Sequence, residues 1–261
     1  MKSIERQRFL MTKANKHNFV SIPDSARELK VSIETIRRDI NILCEQKKLK
    51  KVHGGAVPLH AAVKKDPSFL LRFQRNPQGK AAVAAEAAKL VHDGDVVTMD
   101  GGATTAVVAQ QLQGLRDVTF VVNSIRIAEI LTEKIASGEL TGKMILIGGE
   151  VHIPELSTTD AFALEQLDGF RFDIAFVSAS SISASGVANT TLSGVFVRKL
   201  MKQAAMSVLV ADSDKLGGTS TYRFAMPGDF AHIIVDDKIP MPQDLKELLD
   251  ASDTQLTIVH I

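Results

Sequence analysis

Val31-Ser32-Ile33-Glu34-Thr35-Ile36-Arg37-Arg38-Asp39-Ile40, with Lys50-Lys51-Val52-His53-Gly54-Gly55-Ala56 beyond it, is the stretch from which the fold can be read. Ser32 suits an N-cap, because its hydroxyl can accept from an orphan amide of a first helical turn, and Glu34 stands where the helix dipole favours an anion. Ile33, Ile36, Ile40 and Leu43 recur at three- and four-residue spacing and make one apolar stripe, which leaves Thr35, Arg37, Arg38 and Asn41 on other faces. Upstream, Pro23 fits a helix N1 position and Ile22 to Leu29 a second short helix, while Lys30-Val31 is long enough only for a tight turn. Two helices so joined have helix-turn-helix spacing. In that arrangement the second helix enters the major groove by its N-terminal half, which makes Ser32, Thr35, Arg37, Arg38 and Asn41 candidate DNA contacts.

Downstream of the helix, Lys47, Lys48, Lys50 and Lys51 supply positive charge, and Gly54-Gly55 permits a hairpin turn with φ > 0, so this segment reads as a basic β-wing. Lys50, Lys51, His53 and Gly54 join the candidate contacts; His53 either approaches a phosphate or is an ordinary surface histidine. The charge distribution agrees. Residues 1–65 carry 15 lysines and arginines against 6 acids, a formal +9, although the whole chain is +1 and residues 66–261 are therefore −8. A basic end supplies the salt-sensitive attraction to phosphate that DNA binding needs, and the acidic remainder has no reason to touch the duplex.

At 261 residues the chain accommodates two domains, and a 45% hydrophobic content suits globular cores. A single cysteine, Cys44, excludes an internal disulfide framework and fits a reducing cytoplasm; its expected role is that of a small buried hydrophobe. No apolar run approaches eighteen residues and no signal segment opens the chain, so membrane insertion and secretion are not expected. Three prolines and a Lys64-Lys65-Asp66 cluster mark a linker. The expected division is a winged helix-turn-helix over 1–58, a linker over 59–78 with a helical piece at Ser68 to Gln74, and a second domain over 79–261.

That second domain alternates short continuous apolar runs with helical patterns: strands near 96–99, 118–122, 143–147, 173–179, 207–211 and 232–235, with an edge strand at 256–260. The pattern predicts an α/β fold with a mainly parallel sheet covered on both faces. Ligands of such sheets bind beyond the carboxyl ends of the strands. Asp100-Gly101-Gly102-Ala103-Thr104-Thr105 follows the first strand and reads as an anion cradle, its glycines admitting backbone amides and its threonines adding hydroxyls. Asn123-Ser124, Gly148-Gly149, Ser178 to Ser181, and Asp212 with Lys215 follow later strands; Asp212 and Lys215 also read as a plain loop ion pair. No nucleotide-binding glycine spacing, metal-ligand spacing or Ser/His/Asp elbow appears. Neither a metal nor a cofactor is expected, nor a catalytic residue.

Glu5-Arg6-Gln7-Arg8, the run from Val31 to Asp39, and His53-Gly54-Gly55-Ala56 together resemble the deoxyribose-operon-repressor (DeoR) family of bacterial transcription regulators. Phe172-Asp173-Ile174-Ala175-Phe176, Gly148-Gly149, Asn123-Ser124 and Ala211 to Gly217 resemble its effector domain, a sheet similar to ribose-5-phosphate isomerase. The resemblance implies a cytoplasmic, homo-oligomeric (dimeric or tetrameric) repressor of a sugar-catabolism operon, binding double-stranded operator DNA and released by a phosphorylated sugar. It places the phosphate on the loop 101–105 and the sugar hydroxyls near Asp100, Asn123 and Lys215. At that loop the chain departs from the family's Asp-Ser-Gly-Thr-Thr and loses one hydroxyl donor. The alternatives are an isomerase-like enzyme, for which a basic DNA reader has no use, and a DNA-binding protein whose second domain only oligomerises.

Overall fold

The computed structural model describes residues 3–17, 20–46, 48–52, 55–58 and 69–261. The chain divides into two units, Met1–Lys65 and Asp66–Ile261. In the first, helix α1 (Ser3–His17) is followed by the two-residue strand β1 (Val20–Ser21), α2 (Ile22–Leu29), α3 (Ile33–Glu45) and the hairpin strands β2 (Leu49–Val52) and β3 (Gly55–Pro58). Ser21 caps α2 by accepting from Asp24 N, and Lys30 ends it in the left-handed conformation, φ 51°, with its amide turned back to Ala26 and Arg27. Such a residue reverses the chain at the cost of an unfavourable φ, which is how so short a turn is closed. Ser32 caps α3 through Thr35 N, as its position predicts. Strand β3 pairs with β2 on one side and with β1 on the other, a third strand that the sequence pattern does not signal.

Ile36, Ile40 and Leu43 enter the core of this unit with Leu10, Val20 and Leu49, each worth about 1.5–3 kcal/mol when fully buried. Ile33 does not. It stays 46% exposed at the first residue of α3, where the stripe has run past the buried contacts. Cys44 is half-buried and packs against the core. Asp39 is buried on the inner side of the same helix and accepts from Arg6 Nε (2.6 Å), Ser3 Oγ (2.6 Å) and Gln7 Nε2 (3.3 Å), which ties α1 to α3. Burial alone would raise its pKa, but these three donors outweigh it and hold the carboxyl below its ordinary value. A carboxylate depressed in the folded state stabilises above its unfolded pKa, and that contribution is lost as pH falls through the folded value. Asp39→Asn is therefore expected to lower the opening free energy of α3 by about 2 kcal/mol. Hydrogen exchange of the α3 amides at neutral pH measures this, and an unchanged value would rule out the tie.

In the second unit α4 (Phe69–Gln74) and α5 (Pro77–Ala88) precede the first strand, β4 (Val96–Met99). There follow α6 (Ala103–Gln111), β5 (Val118–Val122), α7 (Ile125–Ala136), β6 (Gly142–Leu146), the small hairpin β7 (Val151–His152) and β8 (Ser157–Thr158), α8 (Ala161–Gln166) and β9 (Phe172–Val177). The remaining elements are β10 (Ser181–Ser183), β11 (Gly186–Asn189), α9 (Ser193–Gln203), β12 (Ala204–Ala211), β13 (Tyr222–Ala225), β14 (His232–Asp236), α10 (Gln243–Asp250) and β15 (Gln255–Val259). Seven strands form one sheet in the order β15-β14-β12-β9-β4-β5-β6, every pair of neighbours parallel. A second, antiparallel sheet, β10-β11-β13, was not foreseen.

Helices α5, α6 and α7 bury Ala84, Ala106 and Leu131 against one face of the large sheet, while α9 and α10 bury Val197, Leu245 and Leu249 against the other. A parallel sheet needs this double cover, since its strands are apolar on both sides. Phe69 of α4 lies in the first of these cores, within the span expected to be linker. From β4 the chain winds outward to β5 and β6, then returns to the other side of β4 as β9. The sheet's topological switch point is therefore between β4 and β9.

Candidate functional site

In the first unit five of the candidate DNA contacts gather on one helix. Ser32, Arg37, Arg38 and Asn41 are exposed on α3 and Thr35 half-exposed, with the Ser32 and Thr35 hydroxyls bonded to each other at 2.8 Å. Arg37 lies 3.5 Å from Glu34, and both side chains are largely in solvent. Lys50 and Lys51 fall in β2, and Lys51 is exposed. His53 and Gly54 lie outside the described residues. An exposed Arg-Arg pair in the N-terminal half of a second helix, next to a basic strand, suits phosphate and base-edge contact.

In the second unit the loops after β4 and β9 meet at the switch point. Asp100 joins them: Oδ1 accepts from Gly102 N (3.0 Å) and Thr105 Oγ1 (2.9 Å), and Oδ2 from Ser178 N (2.9 Å) and Ser178 Oγ (3.0 Å). Burial raises its pKa against the pull of those four bonds. Gly102 is demanded by the close approach of the loops, since a Cβ there would stand 2.0 Å from Ser178 Oγ. It opens α6 without any side-chain cap, so the amides of that first turn remain available to an anion.

Two adjoining clefts share Arg72, Ser178 and Ala179. The first is walled by Asp100, Gly101, Gly102 and Asn123, together with hydroxyls and amides that strand-end reasoning did not single out: Ser157, Thr159, Asn189, Thr191 and Ser193. Asn123 gives its amide to Thr158 O at 2.6 Å, while its buried Oδ1 has no partner, a vacancy that a ligand hydroxyl would fill. The second cleft is cationic, with Arg72, Arg75, Lys80 and Lys215 beside Ala103, Thr104, Asp212 and Asp214. Asp212 pairs with Lys80, 2.6 Å away and as deeply buried, a partner on α5 that the sequence does not signal. Arg72 also pairs with Glu155 on the wall of the first cleft.

Four candidates line neither cleft. Thr105 spends its hydroxyl on Asp100 and on Gly102 O. Ser124 caps α7 through Ile127 N. Gly148 gives both backbone groups to Gln166, and Gly149 is fixed by its φ of 142° and by Asp160, whose Oδ1 would stand 2.5 Å from a Cβ. These two follow β6, the edge strand, whereas the clefts lie at the switch point beside β4, on the other side of β5. Arg72, Arg75 and Lys80 were missed because they precede the first strand. The available signal was Lys80 itself, standing at helical spacing with the buried Val83, Ala84 and Ala87. Among the described residues no cluster of His, Cys, Asp or Glu could hold a metal, and no helix is long and apolar enough to cross a membrane.

Residues 6–61 match the family model of the DeoR-like helix-turn-helix domain, and residues 75–237 that of the DeoR C terminal sensor domain. The chain is 32% identical to the uncharacterized HTH-type transcriptional regulator YgbI of Escherichia coli, across 91% of each chain. It is 29% identical to the HTH-type transcriptional repressor GlcR of Bacillus subtilis, across 94% of this chain and 92% of that one. Among solved structures, ribose 5-phosphate isomerase A of Methanocaldococcus jannaschii aligns over 54% of this chain and 55% of that one, with 20% identity and a TM-score of 0.36. With both of its units matched in order, and relatives alike over nearly their whole length, the chain belongs to the DeoR family of helix-turn-helix transcription regulators.

Proposed function

We propose that this regulator is a cytoplasmic repressor of a sugar-catabolism operon, that it binds operator DNA as a homo-oligomer, and that a phosphorylated sugar in the switch-point clefts releases it. One observation carries the reading: a cleft walled by hydroxyls and amides, with Asn123 Oδ1 unpartnered, opens beside one holding four cationic side chains and the uncapped start of α6. A polyol fits the first chemistry and a phosphate the second, since ammonium and guanidinium groups serve as phosphate binders. The contacts to sugar come from Asp100, Gly101, Gly102 and Asn123, and those to phosphate from Arg72, Ala103, Thr104 and Lys215. Repression is relieved by a population shift, in which the occupied sensor favours an arrangement whose reader spacing fits the operator poorly.

The test is a thermal-shift panel of pentose and hexose phosphates beside the same sugars without phosphate. A binding phosphate at about 100 times its Kd adds about 2.7 kcal/mol, which raises Tm by about 5–10 °C in a unit of this size. Gly102→Ala, which forces Ser178 away from the loop, is expected to abolish the shift while leaving operator binding intact. A panel without any response, or a shift equal for free sugars and their phosphates, would exclude a phosphate sensor.

A further inference from the structure

Large apolar side chains left in solvent are concentrated around one feature of the second unit, the hairpin β7–β8. Ile153 in its turn is 72% exposed and Leu192 71%, and the two line one open groove together with Thr159 and Asp160. Phe162, 61% exposed, lies one step into α8 from Asp160, the residue that caps that helix. Gln166 bonds to both Phe162 O and Gly148, two residues beyond the half-exposed Leu146. Val195 follows Leu192 in a single turn and is also exposed, as is Ile125, whose amide is bonded to Leu156 O at the hairpin's end. These six residues leave on the order of 600 Å² of apolar surface in one region, the upper limit of what a monomer ordinarily shows.

We propose that this face receives a second copy of the chain. The proposal rests on the self-association put forward above and names the surface that carries it. Its area approaches the roughly 800 Å² that each partner contributes to a stable interface, once the flanking polar atoms are added. The charge on the rim disfavours anionic occupants. Glu150 and Asp160 border the groove, and Asp160 is held below its ordinary pKa by the amides of Glu150 and Ala163, so DNA and anionic lipid are repelled. A two-fold contact presents the same patch twice. Exposed His152 and exposed Glu150 stand on that patch together, and across a two-fold each copy can set its imidazole against the other's carboxylate.

The face is also continuous with the proposed effector site. Glu155, Ser157, Thr159, Thr191 and Ser193 line both the groove and the hydroxyl-walled cleft. A copy seated in the groove therefore borders the mouth of the cleft, and whatever fills the cleft bears on the fit between copies. That is a direct physical route from ligand to reader spacing.

Sedimentation velocity of the full chain tests the proposal. The wild-type protein is expected at twice the single-chain mass or a higher multiple. I153E/L192E is expected to fall to half that mass or less, with F162E on the neighbouring helix giving the same result independently. I239E/I258E, which changes two exposed isoleucines elsewhere on the unit, is expected to keep the wild-type mass, and circular dichroism reports whether each variant is folded. Folded I153E/L192E and F162E that retain the wild-type mass would overturn the assignment of the face while leaving association standing. A wild-type chain that sediments alone would overturn both.

Discussion

The double variant R37A/R38A is expected to lose operator binding by two orders of magnitude or more while folding normally. Both arginines are exposed on α3 outside the core formed by Ile36, Ile40 and Leu43, so removing them leaves packing intact. A lost base contact costs about 1–3 kcal/mol, a factor of about ten to a hundred and fifty for each residue. The single variants separate two roles. An arginine that reads a base edge relaxes specificity at one operator position, whereas one that holds a phosphate weakens every sequence alike and lowers the salt slope by about one. Lys51→Ala, on the exposed side of β2, is expected to behave in the second way. Arg37 has Glu34 at 3.5 Å in solvent, and so weak a surface pair does not hold it from DNA. Fluorescence anisotropy at two salt concentrations provides all of these readings. Undiminished operator affinity in R37A/R38A would remove α3 as the reading helix.

Much of this architecture was legible because its strands are continuous apolar runs and its helices carry caps. Ser32 was placed correctly by local chemistry and Pro23 to within one position, at the second residue of α2 where N1 was expected, and the seven strands of the parallel sheet fall within a few residues of their expected positions. The second sheet was not legible. Ser181-Ile182-Ser183 and Gly186-Val187-Ala188-Asn189 are too short and too weakly apolar to signal strands, and the pairing of the second with β13 joins residues far apart in sequence. Among the candidate site residues, sequence reasoning saw which loops were polar but not where each hydroxyl would be spent. Thr105 and Ser124 look like ligand groups in the chain, but in the fold Thr105 turns its hydroxyl to Asp100 and Gly102 O and Ser124 caps α7. Gly148-Gly149 lie apart from the two clefts for a topological reason, because every strand has a carboxyl end but only those beside the switch point border a crevice. Arg72 and Lys80 escaped notice for the converse reason: they reach that crevice from helices that precede the sheet.

Asp212→Ala is expected to be the most destabilising single change in the second unit. The carboxylate and the Lys80 ammonium lie 2.6 Å apart and both side chains are almost wholly buried. With the carboxylate gone, the ammonium keeps the carbonyl of Arg75 as an acceptor but has no counter-charge. Breaking a buried pair from one side costs about 3–5 kcal/mol, chiefly because the remaining charge is uncompensated. For a unit of this size that corresponds to a fall in Tm of about 10 °C. Lys80→Met leaves the converse problem, and the double variant K80M/D212L is expected to be more stable than either single one, since it removes both charges together. The pair also borders the cationic cleft, which makes its response to anions informative. Inorganic phosphate is expected to raise the Tm of D212A more than that of the wild-type protein, because the anion supplies the charge that Asp212 provided to Lys80. A D212A protein that melts with the wild type would show that the pair contributes nothing. One that is destabilised but indifferent to phosphate would show that Lys80 serves only to hold α5 to the loop after β12, and the phosphate contacts proposed above would then rest on Arg72 and Lys215.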